Sequence, residues 1–131
     1  MTTEEWSRVR KALTQLGNIV TMKIDGYKVQ VQLERISTYR NAIAIYVDGT
    51  FKGKWLTEDC EERRRFIQMR KKSLWTPKKL KELGISKKEQ KKWLAEKYVY
   101  YQPTWTSFGA LRGHLIGNNE NIELMKISWE D

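Results

Sequence analysis

The sequence predicts an α+β fold: an N-terminal helix, an antiparallel β-meander of about four strands, a basic helical arm, and a C-terminal helix plus short strand. Three observations predict this class. Apolar residues recur at helical spacing near the N-terminus, they alternate with polar residues over 19–55, and Asp-Gly pairs at 25–26 and 48–49 interrupt the alternation. With 131 residues, of which 40% are hydrophobic and 31% charged, the chain suits a single domain, 1–131, with a modest core.

The first predicted element is a helix that begins with a capping box, Thr2 with Glu5, and ends at Gly17. Four strands follow it. The first two flank Asp25-Gly26, and the next two flank Asp48-Gly49, with 50–55 as the fourth strand. Asp-Gly between alternating runs is typical of a type I′ hairpin turn. We expect a meander with one solvated face, and the helix should cover the apolar face.

Three helices are predicted between Thr57 and Lys97. The first begins at Thr57, passes through an acidic first turn and continues through 63–72, an order of charges that suits the helix dipole. The second begins at Thr76-Pro77 and ends at Gly84, and the third begins at Ser86 and reaches about Lys97. Few apolar side chains anchor this segment, so we expect 63–97 to form a basic helical insertion or arm.

The remaining elements are an aromatic segment, a helix and a strand. Pro103 follows several tyrosines and disfavours a central strand at its own position. Ser107 is the predicted N-cap of a helix that ends at Gly117, and Ile122–Ile127 is the predicted last strand.

Basic charge is concentrated in one segment of the chain. The formal charge is +9, and 63–97 holds 14 basic and 3 acidic residues, which leaves 11 basic and 13 acidic residues elsewhere. Each Lys or Arg that neutralises a phosphate releases a condensed counterion, so nucleic acid, DNA or RNA, is the predicted partner. An acidic protein surface and a merely solvated helix face are the alternatives.

Aromatic residues lie among these cations. Cations beside aromatic faces suit single-stranded nucleic acid, because bases stack while phosphates are neutralised. The stretch KKLKELGISKKEQKKW, 78–93, also has the pattern of two short helices around a glycine turn, as in small DNA-binding helix pairs. The candidate nucleic-acid-binding residues are Arg63, Arg64, Arg65, Arg70, Lys71, Lys72, Lys78, Lys79, Lys81, Lys87, Lys88, Lys91, Lys92, Trp93, Tyr100 and Tyr101.

Signatures of catalysis are few. His114 and Cys60 are the only histidine and cysteine, which is too few for the usual zinc ligands or for an internal disulfide. The chain has no phosphate-binding glycine loop, dinucleotide fingerprint or hydrolase elbow. The acidic residues at 58–62 suit either Mg²⁺ or the helix dipole. We expect neither an enzyme nor a bound cofactor or metal, and a metal-dependent nuclease is the third hypothesis.

The sequence also predicts where the protein acts. No apolar run approaches the roughly 18 residues that span a bilayer, and the acidic, polar N-terminus does not resemble a secretion signal. We therefore expect a cytoplasmic protein without membrane contact. The oligomeric state stays open, because an exposed sheet edge can pair with a second copy.

Two blocks of sequence, DGTFKGKWLTEDCEERRRF (48–66) and YYQPTWTSFGALRGHLIGNNENIEL (100–124), resemble small uncharacterised proteins of tailed phages and prophages. The resemblance implies a bacterial host cell and an accessory role in infection or lysogeny. Such proteins commonly act by binding, as DNA-associated factors or as inhibitors of host machinery, including anti-CRISPR proteins. The first hypothesis is therefore a phage-encoded, non-enzymatic protein that binds nucleic acid or a host complex containing it. The second is a protein–protein inhibitor of a host defence system.

Overall fold

The computed structural model describes residues 1–129, and the chain divides into two compact units. Unit 1 comprises Met1–Gln68 and Gln102–Asp131, and unit 2 comprises Met69–Tyr101. The predicted α+β class is confirmed. In chain order the elements are α1 (Thr3–Ala12), β1 (Ile19–Ile24), β2 (Tyr27–Ser37), β3 (Arg40–Val47), a 3₁₀ turn (Gly53–Leu56), α2 (Glu61–Phe66), β4 (Gln68–Ser73), α3 (Pro77–Glu82), α4 (Lys87–Leu94), β5 (Lys97–Gln102), β6 (Thr104–Trp105), α5 (Phe108–Asn118) and β7 (Ile122–Ile127).

Unit 1 is built on a five-stranded sheet with the order β6-β3-β2-β1-β7, in which the neighbouring strands are antiparallel. The first predicted hairpin is confirmed: Ile24 pairs with Tyr27 across Asp25 and Gly26. Both turn residues have positive φ, 46° and 89°, as a type I′ turn requires. The last predicted strand is also confirmed and pairs with β1 at one edge of the sheet.

Helices α1 and α5 supply much of the core beside the sheet. The capping box at Thr2 and Glu5 forms as predicted, and α1 buries Trp6, Val9 and Ala12. The Trp6 ring meets Phe108 of α5 edge-on at 6.2 Å between centroids. Helix α1 ends at Ala12 rather than near Gly17, and Leu16 stays exposed. The inner face of the sheet is formed by Val20, Met22, Ile24, Val29, Val31, Ile43, Ile45 and Val47.

The predicted fourth strand at 50–55 is wrong. After the Asp48-Gly49 turn only Thr50 pairs back, with Val47, and a 3₁₀ turn then carries Trp55 into the core. Phe51 and Trp55 are four residues apart, a spacing that fits one face of a helical turn as well as one face of a strand. Their rings meet edge-on at 5.2 Å. Because 50–55 forms no strand, the meander has three strands, β1, β2 and β3.

The predicted helix from Thr57 through 72 is also wrong in its bounds. Helix α2 begins after Cys60 and ends at Phe66, and Arg70, Lys71 and Lys72 lie on β4 instead. Ile67 leaves the helix in an extended conformation, with ψ of 138°, and is buried. Phe66, Ile67 and Gln68 are all buried, and the helical charge pattern of 63–72 does not carry α2 past Phe66.

Unit 2 consists of the two-stranded sheet β4-β5 with the helix pair α3 and α4 between the strands in sequence. The predicted caps are present, because Thr76 Oγ1 accepts from Lys79 N at 3.2 Å and Ser86 Oγ from Glu89 N at 3.4 Å. Helix α3 closes as a Schellman motif at Gly84, which has φ of 75°. The third predicted helix ends at Leu94, since Lys97 already belongs to β5. The inserted unit thus spans Met69–Tyr101 rather than 63–97.

Candidate nucleic-acid interface

The net positive charge of the protein belongs almost entirely to unit 2. Of the 25 basic and 16 acidic residues, unit 2 contains eleven basic and three acidic, a net charge of +8. Unit 1 then has fourteen basic and thirteen acidic residues and is nearly neutral. A charge density of this kind attracts polyanions.

Four lysines of α4 form the densest part of this charge. Lys87, Lys88, Lys91 and Lys92 are all exposed, and at 100° per residue they fall within an arc of about 140°. Trp93 lies on the opposite side of the helix and is half-buried. Helix α4 therefore presents a continuous lysine face to solvent.

These charges have no acidic partners within the part of the chain that the structure describes. Among residues 1–129, none of the eleven basic side chains of unit 2 has a carboxylate oxygen within the 4.0 Å of an ion pair. Within α4, Lys87 faces Lys91 and Lys88 faces Lys92 at i,i+4, where like charges destabilise a helix. Lys87 and Lys88 also occupy its first turn, where the helix dipole disfavours cations.

Helix α3 adds three exposed lysines, Lys78, Lys79 and Lys81. The Lys79 ammonium lies 5.5 Å from the centroid of the Trp75 ring, a cation–π contact. Leu80 on the same helix is fully buried and anchors it. The basic side chains of α3 thus lie around a single apolar anchor.

The predicted aromatic contact at Trp93 has a packing role. Its ring meets Trp75 edge-on, with centroids 5.2 Å apart and planes at 80°. Both side chains are half-buried, so the pair joins α4 to the residue just before α3. We infer that Trp93 holds the lysine face in place rather than offering a free ring to a base.

Strand β5 separates two tyrosines that the sequence analysis grouped together. Side chains alternate along a strand, so Tyr100 and Tyr101 point to opposite faces. The ring beside Tyr100 is that of Tyr98, at 5.9 Å between centroids and 41° between planes. Sequence reasoning did not choose Tyr98 as a site residue, although the i,i+2 spacing of the two tyrosines is the signal of a shared strand face.

On β4, Arg70, Lys71 and Lys72 are exposed.

The predicted arginine cluster 63–65 belongs to unit 1, where its side chains bind other parts of that unit. Arg64 makes two 2.9 Å hydrogen bonds to the Asp59 carboxylate. Arg63 donates to the Leu56 carbonyl at 3.4 Å. Only Arg64 of the three is largely exposed, and its charge is already compensated by a carboxylate.

Arg65 is the centre of an internal polar network in unit 1. Its guanidinium reaches Asp25 at 2.6 Å, Glu61 at 2.8 Å and the Asn119 amide oxygen at 2.9 Å. The pKa of Asp25 is lowered, first by the backbone N–H groups that donate to it from 120 and 121 and then by Arg65. These contacts join the β1–β2 turn, α2 and the end of α5. Arg65 therefore has a structural role.

Three of the residues weighed for catalysis, His114, Asp59 and Glu61, make structural contacts. His114 Nε2 donates to the Arg64 carbonyl at 3.0 Å, and burial lowers the pKa of this histidine. Two of the four acidic residues at 58–62 pair with arginines, as Asp59 and Glu61 do above. Among the residues that the structure describes, no group of three His, Cys, Asp or Glu side chains is placed to hold a metal ion.

Comparison of the chain with protein-family models, curated proteins and solved structures gives no match. The resemblance to phage accessory proteins therefore stays a prediction. Within 1–129, no helix is both long and apolar enough to cross a membrane.

Proposed function

We propose that the protein binds nucleic acid through the basic side chains of unit 2. The observation that carries this proposal is the set of eleven basic residues with no ion-pair partner among residues 1–129. Phosphates would compensate these charges, and the release of counterions from the nucleic acid would favour the complex. Contacts to phosphate position a protein without reading bases, so we expect little dependence on base sequence.

The lysine face of α4 argues against the alternative that these lysines serve only to keep the protein in solution. A solvent-exposed helix gains stability when Glu and Lys alternate at i,i+4, and α4 instead places lysine opposite lysine twice. It also places Lys87 and Lys88 in the first turn, where the dipole favours acidic residues, although Glu89 in that turn and Lys91 and Lys92 in the last turn suit the dipole. A bound polyanion would relieve both unfavourable terms.

The test is fluorescence anisotropy with labelled DNA and RNA at several salt concentrations, on the full chain and on two matched variants. One variant changes Lys87, Lys88, Lys91 and Lys92 to Gln. The control changes four exposed lysines of unit 1 to Gln, namely Lys23, Lys28, Lys52 and Lys126. Both variants lose four positive charges, so only the position of the charges differs.

We expect the α4 variant alone to lose affinity and salt dependence. If all four lysines contact phosphates, the slope of log K against log salt falls by about 3.6 on duplex DNA or about 2.8 on a single strand. At roughly 0.15 M salt this corresponds to an affinity loss of about 100- to 1,000-fold. Equal losses in both variants would mean that only net charge matters. Absence of binding by the unmodified protein at low salt would refute the proposal.

The phage resemblance supplies the biological setting that we propose: a non-enzymatic accessory protein acting in the cytoplasm of a bacterial host. In that setting the competing partner is an acidic surface on a host protein. Capture of such a protein that survives nuclease treatment, together with no binding to free nucleic acid, would favour the competing partner.

A further inference from the structure

We infer that the ligand of unit 2 is single-stranded nucleic acid and that Tyr98 and Tyr100 of β5 form a platform on which its bases stack. This inference rests on the proposed function and names the class of ligand that the same unit takes. Neither the lysine face of α4 nor the total charge distinguishes single strands from duplexes. The two tyrosines do, because they offer aromatic faces rather than charge.

The geometry of β5 places the two rings side by side. Tyr98 and Tyr100 are two residues apart on a strand and therefore share one of its faces. Their ring centroids are 5.9 Å apart and their planes are inclined by 41°. Tyr98 remains 42% exposed, and Tyr100 is half-buried. A large aromatic ring that stays this accessible beside a second ring is suited to stacking with a base.

The surroundings of the rings are basic. Strands β4 and β5 contain Arg70, Lys71, Lys72 and Lys97, and neither strand contains an Asp or Glu. Because side chains alternate along β4, Arg70 and Lys72 lie on one face of this two-stranded sheet and Lys71 on the other. Either face of the sheet thus places a cation on the strand next to β5. Backbone phosphates can be neutralised there while bases stack on the rings.

Single strands are favoured because only an unpaired base exposes its flat face. In a duplex the faces are covered by neighbouring base pairs, and only base edges and phosphates reach the grooves. Proteins that bind single strands combine a positively charged track with aromatic side chains, and each stacked base contributes substantially to affinity. Unit 2 has both components within the same pair of strands.

The test uses an oligothymidylate of about 20 nucleotides, which is long enough for the roughly 4–16 nucleotides that a small binding module covers. A duplex of the same length serves as the competing ligand. The variants are Tyr98→Leu and Tyr100→Leu, with Tyr98→Phe as the conservative replacement. Tyr39→Leu is the matched control, because Tyr39 is 96% exposed in unit 1.

We expect the unmodified protein to bind the oligothymidylate more tightly than the duplex. Each leucine variant should bind the single strand about 5- to 150-fold more weakly, the range known for loss of one stacked base. Tyr98→Phe and Tyr39→Leu should bind within about 2-fold of the unmodified protein, since one keeps the ring and the other lies in unit 1. The salt slope should not change in any tyrosine variant, because no charge is removed.

Two results would overturn the inference while leaving the proposed function in place. The first is duplex binding as tight as, or tighter than, binding to the single strand. The second is that both leucine variants bind the single strand as tightly as the unmodified protein does and that their affinity still falls steeply with salt. If the unmodified protein binds neither ligand at low salt, the proposed function and the stacking platform fail together. Protection of the α4 amides from hydrogen exchange in the leucine variants checks that the lysine face is still folded.

Discussion

Reversing one charge in the first turn of α4 should weaken nucleic-acid binding and at the same time stabilise the helix. The perturbation is Lys88→Glu. In the unmodified protein Lys88 is the second residue of α4, is exposed and lies four residues before Lys92. The substitution replaces a repulsive pair with an attractive one, and it places an acidic residue where the helix dipole favours it.

The magnitude follows from these two terms. Removing the repulsion between Lys88 and Lys92 and gaining a Glu–Lys attraction together contribute about 0.6 kcal/mol. Replacing a cation by an anion near the helix N-terminus contributes about another 0.6 kcal/mol at low ionic strength. The free energy of opening α4 should therefore rise by about 1 kcal/mol. Nucleic-acid affinity should fall by about 10-fold, through loss of one phosphate contact and introduction of one repulsive charge.

Lys92→Glu is the matched control within the same helix. It makes the same change in net charge and also replaces the repulsive pair, but it puts an acidic residue in the last turn, where the dipole disfavours it. These two terms nearly cancel, but the new carboxylate also lies three residues after Glu89 and turns an attractive pair into a repulsive one, so α4 stability should fall by about 0.5 kcal/mol. Binding should weaken about as much as in Lys88→Glu.

Amide hydrogen exchange measures the opening of α4 residue by residue. We expect protection in α4 to rise about 5-fold in Lys88→Glu at low salt, with no change in the strands of unit 1. The increase should shrink as salt screens the charges. Equal protection in the two variants, or lower protection in Lys88→Glu, would refute the claim that the lysine face carries a cost to helix stability.

Three further predictions concern the stability of unit 1. Trp105→Phe should lower the free energy of unfolding in urea by about 2 kcal/mol, because the buried 3.1 Å bond from Trp105 Nε1 to the Phe66 carbonyl is lost; an unchanged midpoint would contradict it. Burial lowers the pKa of His114 from 6.5, so stability should decrease as pH falls through that value, and His114→Gln should remove this decrease in urea titrations between about pH 8 and pH 5. The lowered pKa of Asp25 means that the free energy of unfolding decreases as pH falls below 3.8. In an acid titration, Asp25→Asn should show a shallower decrease than the unmodified protein, and Asp48→Asn, in the other Asp-Gly turn, is the control.

Much of the local structure could be predicted from the sequence. The cap at Thr2, the cap at Ser86, the glycine stop at Gly84 and the first Asp-Gly turn all form as predicted. Each depends on groups no more than a few residues apart in the chain. Such signals do not need the rest of the molecule, because the donor, the acceptor and the allowed φ are all local.

The bounds of the elements around the core could not be predicted in the same way. Trp55 leaves the strand pattern for a 3₁₀ turn, and Ile67 lies just past the early end of α2; both side chains are buried. In the short segments around Trp55 and Ile67, the spacing of the apolar residues fitted a helix as well as a strand. The pattern alone could not decide between them, because the conformation of a short segment depends on its tertiary surroundings.

By itself the sequence determined that basic charge is concentrated in one inserted segment and that two short helices lie within it. Only the tertiary structure separated the cations that are already paired from those that are not. Arg65 is paired because Asp25, forty residues earlier, reaches it at 2.6 Å. Lys88 has no such partner among the described residues. The physical reason is that composition counts charges, whereas compensation of a charge depends on which side chains the fold brings within a few ångströms.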